Sequence, residues 1–213
     1  MDLFGRALQY GITHGDQFRA ALGRHLQLVA VALAIGIATC VPLGILTSRS
    51  RAAAITVING VNTVRVIPSL AILFLALPYF GLTLTSALIA LTILALPPIL
   101  VNTDAAFRRI DPAILEAARG MGMSAAQALR RVEFPLALPV VLAGIRTAMV
   151  EVIASATLAA FIGGGGLGIY ITLGFAQFDT AILLVGAVPV ALLALLAELG
   201  MGALERAVRP PRG

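Results

Sequence analysis

Residues able to do chemistry are scarce. Cys40 is the single cysteine of the 213 residues, and His14 and His25 are the two histidines. Neither a disulfide framework nor a cysteine-based zinc site can be built from that set. No nucleophile with a base and no paired carboxylates fall at a working interval, so we expect no catalytic residue, no metal and no cofactor held by this chain. What remains are charges in unusual places. Arg65 and Glu151 lie inside long apolar stretches, where an unpaired charge is costly. They could pair with each other, line a route for a zwitterion or cation, or serve as structural ions reaching toward an interface. Arg146 is a second candidate partner for Glu151, although their spacing suits one helix face poorly. Asn59, Asn62 and Thr63 form a polar patch just before Arg65, and Pro68 should kink that helix. Such a helix fits a translocation pathway, with hydrogen bonding between helices as the competing use.

The elements positioning these residues follow from composition. The chain is 60% hydrophobic and 12% charged, with a mean hydropathy of +1.01. Soluble domains carry about 25% charged residues, so this is an all-α integral membrane protein. Apolar runs long enough to span predict five helices, at 26–48, 52–77, 84–101, 138–162 and 180–204. The second is interrupted by Arg65 and Pro68. Residues 1–25 read as an amphipathic arm bearing Leu3, Phe4, Leu8, Ile12 and Phe18, and not as a cleaved signal peptide. The membrane domain is then 26–205, followed by a tail at 206–213.

The net charge of +5 comes with fifteen basic residues, all Arg. They cluster beside the spans, which points to membrane orientation and not to nucleic acid. Ten of them flank one side, at 49, 51, 108, 109, 119, 130, 131, 206, 209 and 212, against Arg6, Arg19 and Arg24 on the other. Arginine enrichment marks the cytoplasmic side, so the expected topology is N-terminus outside, C-terminus inside, with residues 104–135 cytoplasmic. Gly163, Gly164, Gly165 and Gly166 then lie on the outer side. They lack the Lys-Ser/Thr of a phosphate-binding loop, leaving a closely packed re-entrant turn or a flexible outer gate.

The cytoplasmic segment is the longest charged stretch, and local rules resolve it. Asp111 caps and Pro112 opens a helix over 112–119 that should stop at Gly120 or Gly122. Ser124 with Gln127 forms a capping box for a second helix, expected to end before Pro135. The product is a helix, a glycine elbow and a helix. On the first, Glu116 could pair with a partner's Arg or Lys, and the small Ala117 and Ala118 allow close approach. Docking surface and plain solvated hairpin both fit this pattern.

Glu116-Ala117-Ala118, three residues, Gly122, nine residues, then Val132-Glu133-Phe134-Pro135 resembles the EAA loop of type I ABC importer permeases: EAA, three residues, G, nine residues, I-x-L-P. Val132 and Phe134 depart from it by apolar exchange and keep the spacing. The resemblance implies that Glu116, Ala117, Ala118, Gly122, Val132 and Pro135 couple this chain to an ATPase. It also implies two ATP-binding cassette subunits carrying ATP and Mg, a second permease copy or paralogue, and an extracytoplasmic substrate-binding protein, in a bacterial or archaeal cytoplasmic membrane. The segments 63–71 and 156–168 are similar to those of osmoprotectant permeases for glycine betaine, choline, carnitine or proline betaine. A quaternary ammonium favours a cage of aromatic faces, and the chain has no Trp, three Tyr and nine Phe. High-affinity selection therefore falls to the separate binding protein. Rival readings are a permease for methionine or another small solute, a membrane enzyme, and an anchor that recruits an ATPase without moving solute.

Overall fold

The computed structural model describes residues 2–208; most of the expected 206–213 tail, with Arg209 and Arg212, lies outside them. The described residues form no strand. Ten α-helices run in order: α1 Leu3–Thr13, α2 Gly15–Ser48, α3 Arg51–Val66, α4 Ser69–Phe80, α5 Leu84–Arg108, α6 Pro112–Gly120, α7 Ala125–Ala128, α8 Phe134–Ser155, α9 Gly168–Ala176 and α10 Thr180–Ala207. Four helical stretches are long and apolar enough to cross a membrane, and the bent pair α3 and α4, a broken span or a re-entrant loop, makes a fifth if it counts as one span. This matches the all-α expectation of about five spans.

Burial orders the bundle. The most apolar window of α5 is 56% buried and that of α10 only 22%, so α5 is the central pillar and α10 faces outward. Pillar contacts are close because glycines face it. A Cβ at Gly44 of α2 would lie 2.6 Å from Thr103 Cβ, and one at Gly144 of α8 would lie 2.7 Å from the Pro98 carbonyl oxygen. In lipid no hydrophobic force drives helices together, so close approach of this kind carries the packing.

The second span breaks where proline chemistry requires it. Pro68 offers no N–H and biases Ile67 toward extended backbone, observed at φ −72°, ψ 126°. As a result α3 and α4 meet at 94°. Val57, Val61 and Val64 attach one face of α3 to the core, while Ala54 is its sole fully buried residue among those described.

Two boundaries differ from the sequence reading. The N-terminal segment is not one arm ending at residue 25: it breaks at His14, and Gly15 onward is continuous with the first span. At about 1.5 Å per residue, the 34 residues of α2 outreach an apolar core about 30 Å thick, so its polar end projects without a break. The second elbow helix does not stop before Pro135. Helix continues from Ala125 to Ile162 because a π turn at Leu129–Glu133 slips the register, and Phe134 N–H bonds the Leu129 carbonyl. That slip relieves the clash and missing bond that Pro135 would otherwise impose on a regular helix. Between the Gly163–Gly166 run and the last span the chain also forms helix α9.

Candidate functional site

Local bonds build the elbow as its sequence suggests. The Asp111 carboxylate accepts from Ala113 N–H at 2.9 Å. Ser124 Oγ accepts from Gln127 N–H, and Gln127 Oε1 accepts from Ser124 N–H at 2.8 Å, completing the capping box. Between the two helices Gly122 takes φ +79°. Its N–H donates to the Arg119 carbonyl and Met123 N–H donates to that of Ala118, at 2.9 and 3.2 Å. This is a Schellman stop, which needs a left-handed residue at that position.

The expected docking residues divide into two sets. Glu116, Ala117, Gly122 and Pro135 are exposed and Val132 is half-buried. Ala118 is 1% exposed, so it is used inside the elbow and only Ala117 offers a small open surface beside the glutamate. An exposed carboxylate thus stands beside a small exposed side chain, next to a turn whose two helices are both capped.

An ion pair and a hydrogen bond fasten the elbow to the bundle. Glu133, within the π turn, is buried and pairs with Arg49 at the end of α2. On the other side, Arg108 holds Asp104 through two nitrogens at 2.7 and 3.1 Å and donates to the Thr47 carbonyl at 2.8 Å. Both approaches to the elbow are therefore tied to the last turn of α2.

The glycine loop lies elsewhere. Gly163, Gly165 and Gly166 have φ of +76°, +74° and +83°, and the loop is hemmed in. A Cβ on Gly163 would meet the Leu82 carbonyl at 2.9 Å, one on Gly164 would meet Ala87 and Ala159 Cβ at 2.8 and 2.9 Å, and one on Gly166 would reach His25 Nδ1 at 3.2 Å. Close packing describes this loop better than a loose rim.

The intramembrane charges are not brought together as pairs proposed from sequence. Arg65 and Glu151 make no ion pair among the described residues. Arg146 reaches across to α10 instead, 3.2 Å from both Glu198 and Glu205. Asn59, Asn62, Thr63 and Arg65 all remain exposed on α3, away from the valine face. The described residues contain no cluster of metal-ligating side chains.

Residues 22–210 match the family model described as the binding-protein-dependent transport system inner membrane component. The chain belongs to this family. It is similar to the glycine betaine/carnitine/choline transport system permease protein OpuCB of Bacillus subtilis, 40% identical over 93% of this chain and 91% of that protein. It is 44% identical to the carnitine transport permease protein OpuCB of Listeria monocytogenes, covering 92% and 90%. The osmoprotectant import permease protein OsmW of Salmonella typhimurium is 37% identical, covering 90% and 91%. Among solved structures, an inward-facing MetNI methionine ABC transporter matches with a TM-score of 0.81 and 25% identity, over 91% of this chain and 96% of that one. The fold is that of a type I ABC importer transmembrane domain, and the chain is an inner-membrane permease subunit.

Two features of this permease escaped the sequence reading. His25, assigned to a peripheral arm, is fully buried, with Nε2 3.2 Å from the Ile153 carbonyl of α8. The spacing Ala21, His25, Leu28, Ala32, all buried, is the helical signal that identifies it. Glu133 occupies a motif position that specifies no residue type, so nothing local singled it out; its partner Arg49 is 84 residues away.

Proposed function

We propose that this chain is the permease of an ATP-driven importer for osmoprotectants such as glycine betaine, carnitine, choline or proline betaine. The exposed elbow carries the coupling part of this reading: α6 presents Glu116 beside Ala117, on a turn held rigid by two caps. The solute class is supported by relatives 37–44% identical over about nine-tenths of the chain, whose names specify glycine betaine, carnitine and choline transport. The named methionine transporter is 25% identical, which makes methionine the weaker reading.

Two ATP-binding cassette subunits hold ATP and Mg, and this chain performs no covalent step. A second permease, identical or paralogous, completes the pore, and an extracytoplasmic binding protein delivers solute. The elbow lies on the cytoplasmic side and the glycine loop outside. Closure of the ATPase pair moves Glu116, Ala117 and Gly122 as one piece, and the bundle changes from inward- to outward-facing. The polar face of α3 lines the route, because Asn59, Asn62 and Arg65 point away from this subunit's core.

Glu116→Lys tests the docking. Like charges forced together at an interface cost several kcal/mol, so uptake of labelled glycine betaine in proteoliposomes of the full complex should fall about tenfold or more. Normal assembly, ATP hydrolysis and uptake in that variant overturn the assignment. In the same assay, stronger competition by unlabelled methionine than by glycine betaine or choline overturns the solute class.

A further inference from the structure

The elbow can transmit force only through what holds it. Its two approaches are the end of α5, at Arg108, and the π turn, at Glu133. Both are fastened to one place. Arg108 bonds Asp104 within α5 and reaches the Thr47 carbonyl of α2, while Glu133 pairs with Arg49, the residue that ends α2. One residue further on, Ser50 caps α3 by accepting from Ala53 N–H at 3.3 Å. So the last turn of α2 joins three things: each side of the elbow and the start of the helix bearing Asn59, Asn62 and Arg65.

We propose that the Arg49–Glu133 pair is a force-transmitting clamp, with both residues acting as positioning residues that route the ATPase stroke into the α2–α3 junction. The inference rests on the elbow being the ATPase docking site. Three observations favour transmission over simple bracing. The Glu133 side chain is 7% exposed and that of Arg49 is 46% exposed, so a buried carboxylate depends on one cation arriving from another helix, and the pair resists separation. Glu133 sits in a π turn, an irregular stretch of helix of the kind that recurs at functional sites. Arg49 lies two residues beyond Thr47, itself gripped by Arg108, so the turn that moves is held at both sides. A pull on the elbow therefore displaces the root of α3 instead of bending a free loop.

The test is a charge swap in the complete transporter, reading solute imported per ATP hydrolysed. That ratio is insensitive to a mere loss of protein yield. Arg49→Glu and Glu133→Arg should each lower it by roughly 2- to 30-fold, the range that coupling residues command, with ATPase subunits still bound. The double variant carrying both reversals should recover most of it. Wild-type ratios in the single variants overturn the clamp, and so does a swap that restores nothing, since the loss then belongs to each charge alone. If either reversal fails to insert, Glu133→Gln keeps shape and hydrogen bonding while removing the charge; an unchanged ratio in it overturns the proposal. Glu116→Lys separates this from the docking reading: when it uncouples transport and the clamp variants do not, docking stands and the clamp falls.

Discussion

The elbow and the glycine loop are both glycine-rich turns between helices, yet their glycines do opposite work. Around Gly120 and Gly122 a Cβ would meet nothing within 4 Å. Gly122 is required for its dihedral alone, and the space beside it is open. Along 163–168 nearly every Cβ position is occupied by a neighbouring helix or carbonyl, in the extreme case Gly168, where a Cβ would lie 1.9 Å from the Thr157 carbonyl oxygen. The anchoring divides in the same way: the elbow is tied to α2 by the Arg49–Glu133 pair and by the Arg108 bond to the Thr47 carbonyl, whereas the loop is held by close contact with backbone and side chains of its neighbours. One end is an open surface, and the other is a seam already closed.

The largest test of this contrast is a single methyl group placed at each end. Gly168→Ala should destabilise the permease by about 3 kcal/mol or more, because backbone cannot move aside as a flexible side chain can. Gly120→Ala, in open space on a helix, should be neutral or stabilising by about 0.5–1 kcal/mol. Thermal unfolding of the purified protein in detergent measures both. Equal midpoints for the two variants would dissolve the distinction between seam and surface.

A smaller effect isolates the dihedral. Gly122→Ala should cost about 1–2 kcal/mol, the penalty of a left-handed backbone carrying a Cβ, and Gly122→Asn should cost less because asparagine visits that region more readily. Asp111 and Ser124 cap the N-termini of the two helices independently of Gly122, so the bundle should stay folded in each. Uptake should fall in the order Gly, Asn, Ala. An alanine variant as active as the parent, at an unchanged midpoint, would mean that the turn does not need this conformation.

These two regions also show what sequence can carry. The elbow was legible because its determinants are local: Asp111-Pro112, Ser124 with Gln127, and Gly122 all act within a few residues. The apolar helices were legible from their length, and the bend at Pro68 from proline's missing donor. The end of the second elbow helix was misread because Pro135 usually stops a helix, and a π turn that rescues it depends on hydrogen-bond register, which leaves little trace in residue type. The partners of Glu133, Arg146 and His25 were invisible for a different reason. Each lies on another helix, and the choice of Glu198 and Glu205 over Glu151 for Arg146 depends on how α8 and α10 rotate against each other. The division of Ala117 from Ala118, one open and one buried, likewise appears only once α6 has folded back on its neighbours.

The smallest expected effect on stability concerns a region belonging to neither end. Arg65 sits on the exposed face of α3 with no ion pair among the described residues, so Arg65→Gln should leave the thermal midpoint within about 0.5 kcal/mol of the parent. A structural ion would behave otherwise. Transport should respond, and selectively. On the proposed route, a guanidinium would hold the carboxylate of glycine betaine or carnitine through charge-assisted bonds, an interaction of about 1.5–3 kcal/mol, but choline has no carboxylate to offer. Uptake of glycine betaine should therefore drop about tenfold while choline uptake changes little or rises, since a cation repelling a cation has been removed. Measuring both solutes in one preparation cancels differences in assembly. Equal losses for both would move Arg65 from the route to the contact with the second permease, and unchanged uptake of both would remove it from either.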